Sequence, residues 1–161
     1  MAEGRVLVVD DEADVRRTIR LTFTKAGFDV VEAEDGQAGI DAIRSGDHPL
    51  AVDTVICDMK MPNVNGMGAI AYFRQQFPSV PVIVLTGNPD FKDGNELFKQ
   101  GIVKYLTKPI ESKTLVEAVK RAANNHELFK DQFSTLLPKD GRWLRSLVTG
   151  LLALNRFVDL Q

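Results

Sequence analysis

Apolar residues in this chain gather in five short runs, each ending at polar residues. The first, Arg5-Val6-Leu7-Val8-Val9, shows no alternation, the pattern of a strand covered on both faces, and stops at Asp10-Asp11-Glu12. Val15, Ile19, Thr22, Phe23 and Ala26 then recur at helical spacing, and Gly27 stands where a helix-ending glycine belongs. Residues 28–33 alternate, which predicts a strand near a sheet edge. Asp35-Gly36 opens a short helix through Ala38, Ile40, Ala42 and Ile43, closed by residues 45–49. The third run, Thr54 to Cys57, delivers Asp58 into a turn rich in Pro, Asn and Gly that extends to Gly66.

The alternation then repeats. Gly66 to Gln76 reads as a helix with Met67, Ile70, Ala71 and Phe73 on one side, and Pro78 and Pro81 bracket the loop before the strand Val82 to Leu85, which ends at Thr86. Phe91 to Gln100 predicts a poor helix, interrupted by Asp93-Gly94, since Gly costs roughly 1 kcal/mol relative to Ala inside a helix. The fifth strand is expected over Ile102 to Leu106, ending at Thr107-Lys108-Pro109. Ser112 opens a longer helix with Leu115, Val116, Val119, Ala122 and Ala123 inward.

Strands that alternate with helices imply an α/β fold, a doubly wound parallel sheet with helices on both faces. Crossovers in such a sheet are of one hand, and because the strands are parallel their C-termini lie along one edge. Asp10, Asp11, Asp58, Thr86 and Lys108 can therefore converge there, although they are far apart in sequence. Past Leu128 this pattern is exhausted. The expected division is a first domain over residues 1–127 and a helical extension over 128–161. The extension is broken at Pro138-Lys139-Asp140-Gly141 and then amphipathic, with Leu144, Leu147, Val148, Leu151, Leu152, Leu154 and Val158 on one side. It reads as a dimerisation element or as a linker to an output domain.

Composition narrows the partners. The chain has 161 residues, 44% hydrophobic and 26% charged, which is globular, and its formal charge of −2 gives no general attraction to nucleic acid or anionic membrane. No apolar run approaches the roughly 20 residues of a membrane span. Residues 1–5 do not read as a secretory signal, and the single Cys57 excludes an internal disulfide framework. A cytoplasmic location is expected.

Three carboxylates at one sheet edge repel one another unless a cation joins them, and aspartates without His or Cys favour a hard, oxygen-seeking ion such as Mg²⁺ or Mn²⁺. A lysine beside them can pair with a second anion, and a threonine hydroxyl can hydrogen-bond it. Phosphoryl transfer needs this combination, in-line positioning with neutralisation of spread charge, with Asp58 as the nucleophile. Taken singly, each residue has a plainer use: Asp10-Asp11 can cap the first helix, Thr86 can cap a turn, and Tyr105 can be a half-buried edge aromatic. Cys57 reads as an inert core thiol, and His48 and His126 as surface residues.

Val8-Val9-Asp10-Asp11-Glu12, Asp58 to Gly66, Val84-Leu85-Thr86-Gly87 and Tyr105-Leu106-Thr107-Lys108-Pro109 together resemble the receiver domain of two-component response regulators, over residues 4 to 125. The resemblance implies a chemotaxis-regulator-like, flavodoxin-like sheet in the order 2-1-3-4-5. It implies Asp58 as phosphoacceptor, charged by a sensor histidine kinase or a phosphotransfer protein. Asp10, Asp11, Asp58 and the backbone carbonyl of Lys60 would hold Mg²⁺. Lys108 would pair with the phosphoryl group, behind a cis bond to Pro109, while Thr86 and Tyr105 switch. Such a domain is a signalling switch rather than an enzyme, with only self-catalysed phosphotransfer and dephosphorylation. Its output would be partner binding or homodimerisation through the C-terminal helices, without direct nucleic-acid binding and without membrane insertion.

Two features depart from that family's habit. Ile102 follows Gly101 where a small residue is usual, and Asp93-Gly94 sits in the fourth helix. Two other readings compete. A Mg²⁺-dependent aspartyl phosphatase would carry a second acid where Lys60 stands. A phosphorylation-independent module would be expected to lose part of the acid-Thr-Lys set.

Overall fold

The computed structural model describes residues 3–45, 52–61 and 66–136. The turn at residues 62–65, the loop at 46–51, the break at 138–141 and the amphipathic segment from Leu144 lie outside the described residues. Contacts divide the chain into one compact unit through His126 and a second from Glu127 onward.

The elements follow one another along the chain as β1 (Arg5–Val9), α1 (Ala13–Lys25), β2 (Asp29–Ala33), α2 (Gly36–Ser45), β3 (Thr54–Cys57), α3 (Gly66–Gln76), β4 (Val82–Thr86), α4 (Phe91–Lys99), β5 (Lys104–Thr107) and α5 (Ser112–Leu136). The five strands form one sheet in the order β2-β1-β3-β4-β5, parallel throughout. The alternating strand β2 lies at an edge, as its pattern implies, while the apolar runs β1, β3 and β4 fill the centre.

Side chains leave a strand alternately to its two faces, so one strand feeds two cores. Val6, Val8, Ile56, Ile83 and Leu85 meet Ile19 and Phe23 of α1 and Leu115 and Val119 of α5. Leu7, Val9, Val55, Val82 and Val84 meet Ile40 and Ile43 of α2, Ile70 and Phe73 of α3, and Leu97 of α4. These layers hold the central strands rigidly and fix where their last residues point.

Helices α1 and α4 end in the same device. Gly27 and Gly101 both have φ +90°, the left-handed conformation that favours glycine. Gly27 N–H donates to the Thr24 carbonyl and Phe28 N–H to the Phe23 carbonyl; Gly101 and Ile102 donate in the same way to Phe98 and Leu97. This is the Schellman arrangement, completed by a hydrophobic contact across the turn. Phe23 and Phe28 supply that contact in α1, edge to face at 5.7 Å, and Leu97 and Ile102 share one core in α4.

That device corrects the expected start of the fifth strand. Ile102 spends its N–H on the end of α4, Val103 N–H is the first to donate to β4, at the Val82 carbonyl, and the strand itself begins at Lys104. Ile102 is a buried plug for the turn, which accounts for a large residue there. Helix α4 is also regular despite Gly94, because Asp90 caps it by accepting from Lys92 N–H at 2.7 Å. A Cβ on Gly94 would come no closer than 4.0 Å to the Tyr105 ring, so the site has room for a methyl group. Gly94→Ala is expected to raise stability by about 0.5–1 kcal/mol, read as a higher urea midpoint with an unchanged slope.

His126 is a second correction. Expected at the surface, it is buried, with Nδ1 3.3 Å from Asp53 Oδ1. The inward stripe of α5, Leu115, Val119 and Ala122, continues one more turn to position 126 and carries it inside. Asp53 precedes β3, at the end of that strand opposite Asp58, where its Oδ2 accepts from Arg5 N–H at 2.8 Å.

Candidate functional site

Backbone hydrogen bonds position the strand ends. Asp10 N–H donates to the Ala33 carbonyl, Asp58 N–H to the Val9 carbonyl, and Lys108 N–H to the Thr86 carbonyl. Each bond ties the residue just beyond one strand to its neighbour, so the loops start from a rigid edge. Among the described residues, Asp10, Asp11 and Asp58 each place one carboxylate oxygen within 4.8 Å of the others. Asp10 and Asp58 are buried and Asp11 is exposed.

Lys108 joins them. Its Nζ lies 2.7 Å from Asp10 Oδ2, 3.1 Å from Glu12 Oε1 and 3.2 Å from Asp58 Oδ2. Burial alone would lower the Lys108 pKa, but its bonds to Asp10 and Glu12 and the charge of Asp58 outweigh that and raise it, so the ammonium stays protonated. For Asp10 the balance goes the other way. Burial raises its carboxyl above the ordinary range, with the Asp58 charge adding to this, although Lys108 and the Glu12 N–H favour ionisation. A raised carboxyl costs the folded state stability once pH rises through that value. An oxygen-only donor set with a desolvated acid fits a small hard cation, which would regain that loss.

The other expected site residues are placed as follows. Lys60 is exposed on the turn two residues beyond Asp58, and its N–H approaches Asp58 Oδ1 at 3.4 Å. Thr86 is fully buried at the end of β4, with Oγ1 accepting from Asn88 N–H at 3.3 Å. The partly buried Tyr105 packs on the core, and its hydroxyl accepts from Asp90 N–H at 3.2 Å, at the cap of α4. The Lys108–Pro109 peptide is cis. Buried Cys57 donates its thiol to the Asp58 carbonyl; burial pushes its pKa up, and the charges of Asp58 and Asp10 push it further. With no accessible thiolate, Cys57 should stay unlabelled by iodoacetamide in folded protein and react at once in urea, as mass spectrometry would show.

Three contacts escaped the sequence reading, although Glu12 and Gly66 both stand in the motifs quoted above. Glu12 reaches Lys108 from the other end of the chain. Arg16 Nη1 donates to the Asp10 carbonyl at 2.7 Å, fastening the acidic loop to α1. Gly66 opens α3 directly against the backbone of Asp58 and Met59, and its N–H donates to the Met59 carbonyl at 3.0 Å. Only Gly66 left a local sign, a glycine at the close of a turn.

A flavodoxin-like sheet that presents an aspartate cluster and a lysine at its carboxyl edge defines a class of small α/β domains with an anion- and cation-handling edge. Residues 6–120 match the model of the response regulator receiver domain, and the chain belongs to that family. It is 30% identical over 146 residues to the transcriptional regulatory protein GlrR of Escherichia coli, covering 91% of this chain and 30% of GlrR. Over 159 residues it is 27% identical to the transcriptional regulatory protein FixJ of Bradyrhizobium diazoefficiens, covering 92% of this chain and 76% of FixJ. A crystal structure of a response regulator receiver domain protein from Clostridium thermocellum superposes with a TM-score of 0.73 at 30% identity, covering 78% of this chain and 98% of that one. The chain thus spans less than a third of GlrR. Among the described residues no helix is long and apolar enough to cross a membrane.

Proposed function

We propose that this receiver is a phosphorylation-dependent switch in which Asp58 takes a phosphoryl group from a phosphohistidine on a sensor histidine kinase or a phosphotransfer protein. An Asp58 oxygen attacks phosphorus, the phosphorus–nitrogen bond breaks, and its electron pair leaves with the imidazole. The observation that carries this reading is the shared ammonium: Lys108 touches both Asp58 and Asp10 within 3.2 Å. Asp10, Asp11, Asp58 and the carbonyl of Lys60 would hold Mg²⁺ (Mn²⁺ is a fair substitute), which supplies neutralisation of the phosphoryl oxygens when bound.

Lys108 then balances the charge that the transfer adds. Thr86, one strand over, turns its hydroxyl from Asn88 to the phosphoryl group, and Tyr105 follows inward, leaving the cap of α4. The new charge thereby shifts a two-state population at the face made by α4, β5 and α5. Output is altered binding to a protein partner or to a second copy, with residues 128–161 as dimerisation element or linker to an output domain. The domain itself works as a cytoplasmic signalling element rather than an enzyme.

Thermal unfolding with and without Mg²⁺ tests the site. A cation at one hundred times its Kd should add about 2.7 kcal/mol of stability, a rise of several degrees in Tm. Asp11→Asn should lose most of this. Beryllofluoride, a phosphoryl mimic, should then shift amide NMR signals at Asp58, Thr86 and Tyr105 and change the size seen by light scattering. No response of the Asp58 signals to the mimic would refute the reading; an unchanged size alone would remove assembly as the output.

A further inference from the structure

We propose that Glu12 is a positioning residue that competes with an anion on Asp58 for the ammonium of Lys108, and so limits how tightly the site holds a phosphoryl group. This rests on the reading of Asp58 as phosphoacceptor. Glu12 occupies the N-cap of α1, where Ser, Thr, Asp and Asn prevail because their short side chains reach back to the helix N–H groups. Its side chain makes no such cap. Instead it extends to Lys108 Nζ, 3.1 Å away and 96 positions distant in sequence.

That placement is built in. Asp10 Oδ1 accepts the Glu12 N–H at 2.9 Å, and Asp10 Oδ2 holds Lys108 at 2.7 Å, so one buried carboxylate sets both partners. An ammonium has three N–H donors, and here three carboxylates lie within reach of them. A phosphoryl oxygen can bond Lys108 only by displacing one of these. The Asp10 and Asp58 side chains are 3% and 6% exposed, whereas that of Glu12 is 61% exposed. Glu12 is therefore the ligand that can turn to water at least cost, and it draws Lys108 toward the mouth of the site while it stays.

The test measures the affinity for beryllofluoride at saturating Mg²⁺ in the full chain and in two variants. Glu12→Gln keeps the shape and removes the charge. Glu12→Asp keeps the charge, is one methylene shorter, and is suited to cap α1 instead of reaching Lys108. Both variants should bind the mimic about two- to fivefold more tightly than wild type, the range expected for a largely exposed ion pair. The Lys108 side-chain NMR signal should move in both before any anion is added.

Affinity unchanged or weaker in Glu12→Gln would overturn the proposal. So would a Glu12→Asp variant that behaves like wild type, since that pattern marks a general field effect rather than a contest for the lysine. If wild type binds no beryllofluoride, or Asp58→Asn binds it equally well, the phosphoacceptor reading itself fails and takes this inference with it.

Discussion

Asp58→Asn is expected to abolish phosphoryl incorporation while leaving the protein folded. The amide matches the carboxylate in shape, so the buried end of β3 keeps its packing, and the variant's backbone N–H still meets the Val9 carbonyl. What disappears is the carboxylate oxygen proposed as nucleophile. Asp10 is spent on Glu12 N–H and Lys108, and the thiol of Cys57 is buried with its pKa pushed up. Acetyl phosphate labelled on phosphorus should transfer label to wild type in the presence of Mg²⁺, with acetate leaving, and none above background to the variant. The label should be lost on mild alkaline treatment, as an acyl phosphate is. Substantial label in Asp58→Asn would place the acceptor elsewhere. Stability should change little, because the lost contact to Lys108 is offset by relief of repulsion between Asp10 and Asp58.

Gly66→Ala should be the most damaging Gly→Ala change among the described residues. A Cβ at this position would fall on the backbone of Asp58 and Met59, atoms that belong to the rigid edge and cannot rotate away. Either α3 lifts from the sheet, costing contacts of Ala69, Ile70 and Phe73 in the core, or the loop after β3 moves and carries Asp58 with it. Overpacking that forces backbone to shift typically costs about 1–3 kcal/mol, and a clash with backbone atoms belongs at the upper end. The urea midpoint should fall accordingly, and labelling per folded molecule should fall with it. A variant as stable and as reactive as wild type would mean that α3 does not rest on the acceptor loop.

The central strands were legible because a strand buried on both faces has no choice but to be apolar throughout, and β1, β3 and β4 are. The polar residues that follow them are equally plain, and topology alone carries Asp10, Asp58 and Lys108 to one edge. Ile102 was misread as strand because its chemistry suits both jobs; only the hydrogen bond of its N–H to Leu97 assigns it to the end of α4. His126 was misread although its signal was present, since the stripe of α5 reaches it at regular spacing. A polar residue on an apolar stripe calls for a buried partner, and Asp53 was available. Glu12 and Arg16 could not be read at all. Their roles depend on where side chains cross between elements, and nothing in the local pattern records that.

The Asp53–His126 contact bears on where this domain can be cut. The segment matched by the family model stops at residue 120, yet the imidazole that faces Asp53 comes six positions later. A truncation placed by similarity alone would keep the whole carboxylate edge with Lys108 and discard the plug at the opposite pole, admitting water beside Asp53 and the first residues of β3. A shortened version that retains His126 keeps that pole closed, so the sensible cut lies beyond the end of the family match.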